Sequence, residues 1–289
     1  MKGDQAENLR HRMFSRHIRK KARTLAVVSG KGGVGKSNIS SNLAVILTKQ
    51  GFNVLVVDLD IGMGNINLLL GGSAAKTMAD FIYRQEPLSE IVELGPGGVS
   101  FIAGGNGFLE AVDLDDTTID RMFYGFKRME EIYDYIIFDM GGGAGQWMLR
   151  LSLAADEVIV ITTPEATAIM DSYSMMKLVH RVRPDARLLV ICNRADHVKQ
   201  GIETFRRLQK AMKSFLQKEI HLLGILPEDP SMRKAVLANR PVYLEFPKAS
   251  ISKSLEKIAL SLTEANPGKN PVYMKDSFIT RLQRLFYSR

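Results

Sequence analysis

Cysteine is nearly absent. The chain carries one, Cys192, inside the apolar run "RLLVICN". A lone cysteine closes no intrachain disulfide and cannot supply the thiolates of an iron–sulfur cluster; in that run it reads as a buried strand residue. No apolar run reaches the ~20 residues of a membrane-spanning helix. The basic N-terminus is not followed by a long apolar stretch, so no signal peptide is expected and the compartment reads as cytoplasmic. Internal repeats of 20–50 residues and a tyrosine-rich tail are also missing. What remains is a chain of 289 residues, 45% hydrophobic and 24% charged, long enough to bury a core without disulfide or metal.

Positive charge is in excess, +8 overall, and it sits at the two ends. Residues 1–23 hold eight Lys/Arg against two Asp/Glu, residues 275–289 hold four against one, and the body between them is close to neutral. The ends, not the body, are therefore suited to acidic partners or an anionic surface. Along the body, the β-branched apolar runs "TLAVVS", "NVLVVD", "YIIFDM", "EVIVIT", "RLLVICN" and "HLLGIL" alternate with helical periods such as residues 38–50 and 202–218. Near-continuous apolarity suits parallel strands covered on both faces. The expected fold is α/β, a doubly wound, mostly parallel sheet with helices on both faces, with ligand at the carboxyl ends of the strands. Expected boundaries are a basic extension over 1–23, a nucleotide-binding domain over 24–264, a Pro/Gly/Asn-rich linker over 265–274 and an amphipathic helix over 275–289.

"GKGGVGKS" (Gly30–Ser37) matches G-x-x-x-x-G-K-[ST] between a strand and a helix, the setting that makes this pattern a phosphate-binding loop. Its glycines let backbone N–H groups turn toward phosphate oxygens, and the following helix adds its positive N-terminus. Lys36 reaches the β- and γ-phosphates, and the Ser37 hydroxyl binds Mg²⁺. Lys31 is surplus to that task; its place in the loop suggests a side chain that leaves its own site to serve a neighbour's. Asp58 and Asp60, two residues apart at the end of "NVLVVDLD", leave the strand on one side. Asp139 ends another apolar strand and is followed by Gly141–Gly145.

These motifs, in this order, resemble the MinD/ParA family of deviant-Walker ATPases, whose signature is K-G-G-x-G-K-[ST]; the resemblance spans residues 24–262. It implies a P-loop NTPase that binds ATP with Mg²⁺ and pairs as an ATP-sandwich homodimer, in which Lys31 contacts the nucleotide of the other protomer. The ATP-binding residues so implied are Gly30, Lys31, Gly32, Gly33, Val34, Gly35, Lys36, Ser37 and Asn38 of the loop, Asn193 and Arg194 at the base, and Leu226, Pro227 and Glu228 in a second base-lining loop. Ser37, Asp58 and Asp139 are the implied metal-side residues, Asp60 the residue that orients the attacking water, and Lys31, Lys36 and Asp60 the catalytic set. Two points stay open. The family shows a shorter D-x-G-[AP]-G after the Asp139 position, which leaves the register of the second switch undefined. "NRAD" (Asn193–Asp196) is also readable as a variant of the guanine-specific N-K-x-D, with Asp196 on the base.

The ends carry further signals. On a helical wheel Phe278, Ile279, Leu282, Leu285 and Phe286 share an arc of about 120°, beside Arg281 and Arg284. A short basic amphipathic helix after a linker reads as an interfacial membrane anchor, with packing on the domain's own surface as the alternative. At the other end, "DQAENLR" (Asp4–Arg10) resembles the N-terminal motif of the flagellar-number regulators of the family, which stimulates a partner GTPase of the signal-recognition-particle type (FlhF). The expected function is an ATP-dependent, membrane-associating switch that regulates flagellar placement and number, slow until dimeric. Expected partners are a second copy, FlhF, flagellar basal-body or C-ring proteins and anionic membrane. A cell-division-site MinD and a DNA-partitioning ParA are the alternatives; the near-neutral body argues against sequence-blind nucleic-acid binding, which needs clustered Lys/Arg.

Overall fold

A computed structural model describes residues 21–61, 64–105, 114–141, 146–264 and 276–287. In chain order the elements are β1 (Arg23–Val28), α1 (Lys36–Lys49), β2 (Val54–Asp58), α2 (Ile66–Leu69), α3 (Met78–Tyr83), β3 (Glu93–Leu94), β4 (Ser100–Ile102), α4 (Asp116–Ile132), β5 (Tyr135–Asp139) and α5 (Gln146–Ala154). They continue with β6 (Glu157–Thr162), α6 (Ala166–Val182), β7 (Arg187–Ala195), α7 (Val198–Leu216), β8 (His221–Pro227), α8 (Pro230–Leu237), α9 (Val242–Glu245), α10 (Ser250–Glu264) and α11 (Phe278–Tyr287). Residues 1–20 of the expected extension over 1–23, the linker over 265–274 and Gly142–Gly145 lie outside the described residues.

The strands form one sheet in the order β3-β4-β2-β5-β1-β6-β7-β8, parallel throughout except for the β3–β4 pair. Each central strand feeds both faces. In β1, Ala26 and Val28 join one apolar cluster and Leu25 and Val27 the other; in β5, Ile136 and Phe138 face the first and Tyr135 and Ile137 the second. Burial on both sides is what makes these strands read as unbroken apolar runs rather than alternating ones. Helices lay a single stripe on this sheet. In α7, Gly201, Thr204, Phe205, Leu208 and Met212 are buried, a 3–4-residue spacing, while Arg206, Arg207 and Lys210 are exposed. Asp115 accepts from the Thr118 amide at 2.7 Å to cap α4, which satisfies one of the helix's free N–H groups.

The six strands expected from sequence are present as β1, β2, β5, β6, β7 and β8. The short edge pair β3–β4 has no counterpart in the expectation. Two and three residues are too few for a periodicity, and the intervening Gly95–Gly98 reads only as a turn.

Of the two readings that the sequence leaves open for the C-terminal helix, the structure has it packed on its own domain. Its apolar face is not presented outward. Phe278, Ile279 and Leu282 are 1%, 8% and 0% exposed, and Leu285 and Phe286 pack at the rim of the same cluster. The helix lies on α4 and α5: Phe278 stacks on Phe138 at 5.3 Å, and Phe286 meets Phe123 edge-on at 5.6 Å. Arg281, which the wheel places beside the apolar face, is buried. It donates to the carbonyls of Ala154 at 2.7 Å and Asp276 at 2.6 Å and pairs with Asp156 at 2.6 Å. Asp156 in turn accepts from the Thr24 backbone and hydroxyl at 2.8 and 2.7 Å. The physical reason is that five large apolar groups at helical spacing are satisfied equally by lipid or by a groove of their own domain, and here the groove is available. Among the described residues no helix is long and apolar enough to cross a membrane.

If α11 is part of the folded core, Phe278→Ala should lower unfolding free energy by about 3–5 kcal/mol, as for other buried aromatics. Urea titration followed by circular dichroism measures it. A loss under ~1 kcal/mol would mean that the helix does not dock in solution.

Candidate nucleotide site

The parallel register brings the site together. β2, β5 and β1 are neighbours, with Asp58 opposite Asp139 and Asp139 opposite Val27. The two carboxylates therefore end adjacent strands at the same level, and the loop Gly30–Ser37 leaves the third strand beside them. Gly35 sits at the N-cap of α1 with φ +97°, a conformation that L side chains rarely adopt. A Cβ there would also lie 2.6 Å from the Asn193 amide nitrogen.

Asp58 is 1% and Asp139 2% exposed. The Asp58 carboxylate accepts from the amides of Asp60 at 2.9 Å and Ile66 at 3.2 Å. Even so, burial first and the Asp139 charge second push its pKa up to about 8. Burial likewise raises Asp139, against the hydrogen bonds of Ser37 and Ser40 and the charge of Lys36; Ser40 Oγ donates to it at 3.0 Å. Two buried carboxyl groups of like charge cannot both ionise cheaply without a cation. A hard divalent ion meets that need. Mg²⁺ is such an ion, and it keeps waters and phosphate oxygens as most of its ligands, so that one or two carboxylates suffice. Ser37, Asp58 and Asp139 are the residues able to hold it, and when bound it neutralises charge on the phosphates.

Asp60 lies against Gly141, the residue that opens the glycine run after β5. A Cβ on Gly141 would fall 2.4 Å from the Asp60 carboxyl carbon, and one on Gly104 would fall 2.2 Å from its backbone oxygen. Gly141 and Gly104 are thus required for Asp60 to sit where it does. Gly104 is a site residue that the sequence motifs missed, because it follows the three-residue strand β4. The first turn of the loop opens onto a cavity of about 210 Å³ lined by Gly30, Lys31, Gly32, Met140 and Gly141.

Lys31 points away from its own phosphate loop. Its Nζ pairs with Glu165 at 2.6 Å and donates to the Thr167 hydroxyl at 3.2 Å. The base-side residues divide. Asn193 is 5% exposed and donates to the Val34 carbonyl at 2.8 Å, so its amide braces the phosphate loop from below. Arg194 adopts φ +55° and lies 3.9 Å from Glu228, both half exposed. Leu226 is fully buried in the core, so only its backbone shares the surface that Pro227 and Glu228 reach in that loop.

The family model described as ParA, an NUBPL iron-transfer P-loop NTPase, matches residues 20–263. The chain belongs to the ParA family of P-loop NTPases. Within it, the chain is 33% identical over 258 residues to the antiactivator FleN of Pseudomonas aeruginosa, covering 89% of this chain and 92% of that one. It is 32% identical over 269 residues to the flagellum site-determining protein YlxH of Helicobacter pylori, covering 89% and 88%. The septum site-determining protein MinD of Pyrococcus horikoshii, solved with Mg-ADP, shares the fold at a TM-score of 0.69 and 24% identity, over 87% of this chain and all of that one. The single cysteine, Cys192, is buried in β7.

Because an Asp58 proton must leave before a cation enters, Mg²⁺-ADP binding should release a proton below about pH 8. Apparent Mg²⁺ affinity should rise by up to about tenfold per pH unit between pH 6 and 8, and level off above. Calorimetry in two buffers of different ionisation enthalpy reads the proton directly; a pH-independent affinity over that range would contradict the carboxylate assignment.

Proposed function

We propose that this ParA-family NTPase is an ATP-hydrolysing switch of the FleN/FlhG type, acting in flagellar placement and number. The observation that carries the mechanism is that Lys31, a loop lysine additional to Lys36, is turned to Glu165 and Thr167 with its side chain part-exposed. Its side chain leaves the loop at the protein surface, where a second copy can receive it. Support for the flagellar role comes from FleN and YlxH, which match across about nine-tenths of this chain.

The chemistry is phosphoryl transfer to water, which depends on positioning and charge stabilisation rather than covalent catalysis. Lys36 and the loop amides hold the phosphates. Asp60 orients the water from beside Gly141. Lys31 of the opposite protomer adds a cation to the developing charge, a contribution worth about 10³–10⁵ in rate where such groups act in trans. Hydrolysis is then slow in the monomer and times the life of the dimer. Adenine lies between the Asn193–Arg194 turn and the Pro227–Glu228 loop. Residues 1–23 carry the contact with the partner GTPase FlhF, and basal-body or C-ring proteins read the switch.

The docked C-terminal helix refines the membrane part of this reading. α5 begins just after the Gly141–Gly145 segment and ends at Ala154, whose carbonyl holds Arg281. Nine helical residues span about 13 Å, so one rigid element runs from the switch to the helix dock. Release of α11 frees Phe278, Ile279, Leu282, Leu285 and Phe286 for an anionic surface, and a dimer presents two such helices at once. A cell-division MinD is the second reading, supported by the shared fold; the motif at Asp4–Arg10 favours the flagellar one.

Lys31→Ala should bind nucleotide normally but lose at least ~90% of turnover and fail to dimerise with ATP. Unchanged turnover per protomer would remove the trans role. On anionic liposomes, co-sedimentation should be weak with ADP and strong with a non-hydrolysable ATP analogue, and should fall with salt. Equal binding in the two states would end the gating idea.

A further inference from the structure

We propose that residues 4–13 of this chain dock in cis in the apolar groove between α3, the turn Leu88–Ile91 and α4, so that any partner of that segment must first displace it. The inference does not depend on which protein that partner is.

The groove is the third face of α4. That helix meets the sheet through Phe126 on Phe138 and meets α11 through Phe123 on Phe286. On its remaining side, Tyr124, Arg128 and Ile132 wall a groove of about 970 Å³ whose floor is the buried Phe81, Leu88 and Met129. Gly125 leaves α4 bare at mid-groove, and a Cβ there would lie 2.6 Å from Leu88. Two large apolar groups of the wall stay exposed, Tyr124 at 65% and Ile132 at 59%.

The occupant follows from where the chain enters the domain. The Ala22 amide donates to the Glu130 carbonyl at 2.9 Å, and the Arg23 amide to the Asp134 carbonyl at 2.9 Å. Both acceptors lie at the C-terminal end of α4, where Met129, Ile132 and Tyr133 line the groove. The 20 residues before Lys21 therefore join the domain at the mouth of the groove. In that stretch Ala6, Leu9 and Met13 fall within an arc of about 60° on a helical wheel. Their spacing is that of the anchors of a helix laid in an apolar groove. The eight steps from residue 13 to residue 21 reach about 26 Å when extended. From Tyr133 to Asp120 the groove follows about 20 Å of helix. Charge agrees with this placement. Residues 84–93 and 115–134 together carry nine Asp/Glu against four Lys/Arg, and residues 1–23 carry eight Lys/Arg against two Asp/Glu. The groove's own cations are engaged. Arg121 donates to the carbonyls of Phe81 and Glu86 at 2.9 and 3.1 Å and lies over the Phe81 ring, and Arg128 faces the Tyr124 ring. So short a tether holds the segment at about millimolar effective concentration, and a modest contact is then enough to fill the groove.

The test uses the full chain, free of nucleotide, with Leu9 replaced by p-benzoylphenylalanine. Irradiation should join that position to residues 85–92 or 121–133 of the same chain, as mapped by mass spectrometry. Tyr124→Asp combined with Ile132→Asp should cut the yield at least about fivefold, and so should Met13→Asp. Both groove positions are exposed, so the double variant should keep its fold, which circular dichroism checks. A second measurement needs no cross-link. A fluorescein-labelled peptide of residues 1–20 should bind the Met13→Asp protein about tenfold more tightly than wild type, whose groove is already filled. Adding Ile132→Asp should remove that gain. Adducts elsewhere on the chain, a yield unmoved by the groove substitutions, or equal peptide binding by wild type and Met13→Asp would each overturn the proposal. Adducts that join two chains, with a concentration-dependent dimer in sedimentation, would also overturn it, by giving the groove to a second copy.

Discussion

Two carboxyl groups buried side by side set the conditions for the rest of the site. Asp58 and Asp139 end adjacent parallel strands in register, and neither can move without unpairing the centre of the sheet. Their mutual repulsion is relieved by a proton kept on Asp58 up to about pH 8, and offset in part by the backbone amides of Asp60 and Ile66 and by the hydroxyls of Ser37 and Ser40. A site in that condition is prepared for a hard cation and for the phosphates that come with it. The phosphate loop, the brace from Asn193 and the close seat of Asp60 on Gly141 are all arranged around that pair.

The surface of the same site is built on the opposite principle. Where Asp58 and Asp139 are fixed by burial, Lys31, Glu165, Arg194 and Glu228 are partly exposed and paired across loops by weak, exchangeable contacts. Rigid groups suit chemistry, which needs positions held to fractions of an ångström. Exchangeable groups suit recognition, in which a side chain changes partner. The division follows from where each group leaves its strand or helix.

At the far end of α5 a third arrangement appears. Arg281 joins the C-terminal helix to the end of α5, to Asp156 and, through Asp156, to the start of β1. A buried guanidinium satisfied by carbonyls and one carboxylate is costly to expose and specific in its direction. It orients α11 on the domain more sharply than the apolar groups alone would, since packing of Phe, Ile and Leu tolerates sliding. Glu130 beside it is raised to about 7, chiefly by burial, another mark of how much charge this dock withdraws from water.

The amino-acid sequence by itself determined the strands buried on both faces, the phosphate loop and the residue types at the ends of β1, β2 and β5. These follow from local rules: apolar runs of strand length, glycines before a helix, a carboxylate closing a strand. It did not determine the edge pair β3–β4, too short to have a period, nor the inward turn of Leu226, which depends on which face of β8 meets the core. Nor did it decide the position of Gly104, the pairing of Lys31 with Glu165, or the choice of α11 between lipid and its own domain. Each of those joins residues far apart in the chain, 134 positions in the case of Lys31 and Glu165. The amphipathic pattern of α11 states only that five apolar groups need cover; which surface covers them was settled by the groove that α4, α5 and β5 form when the sheet is assembled.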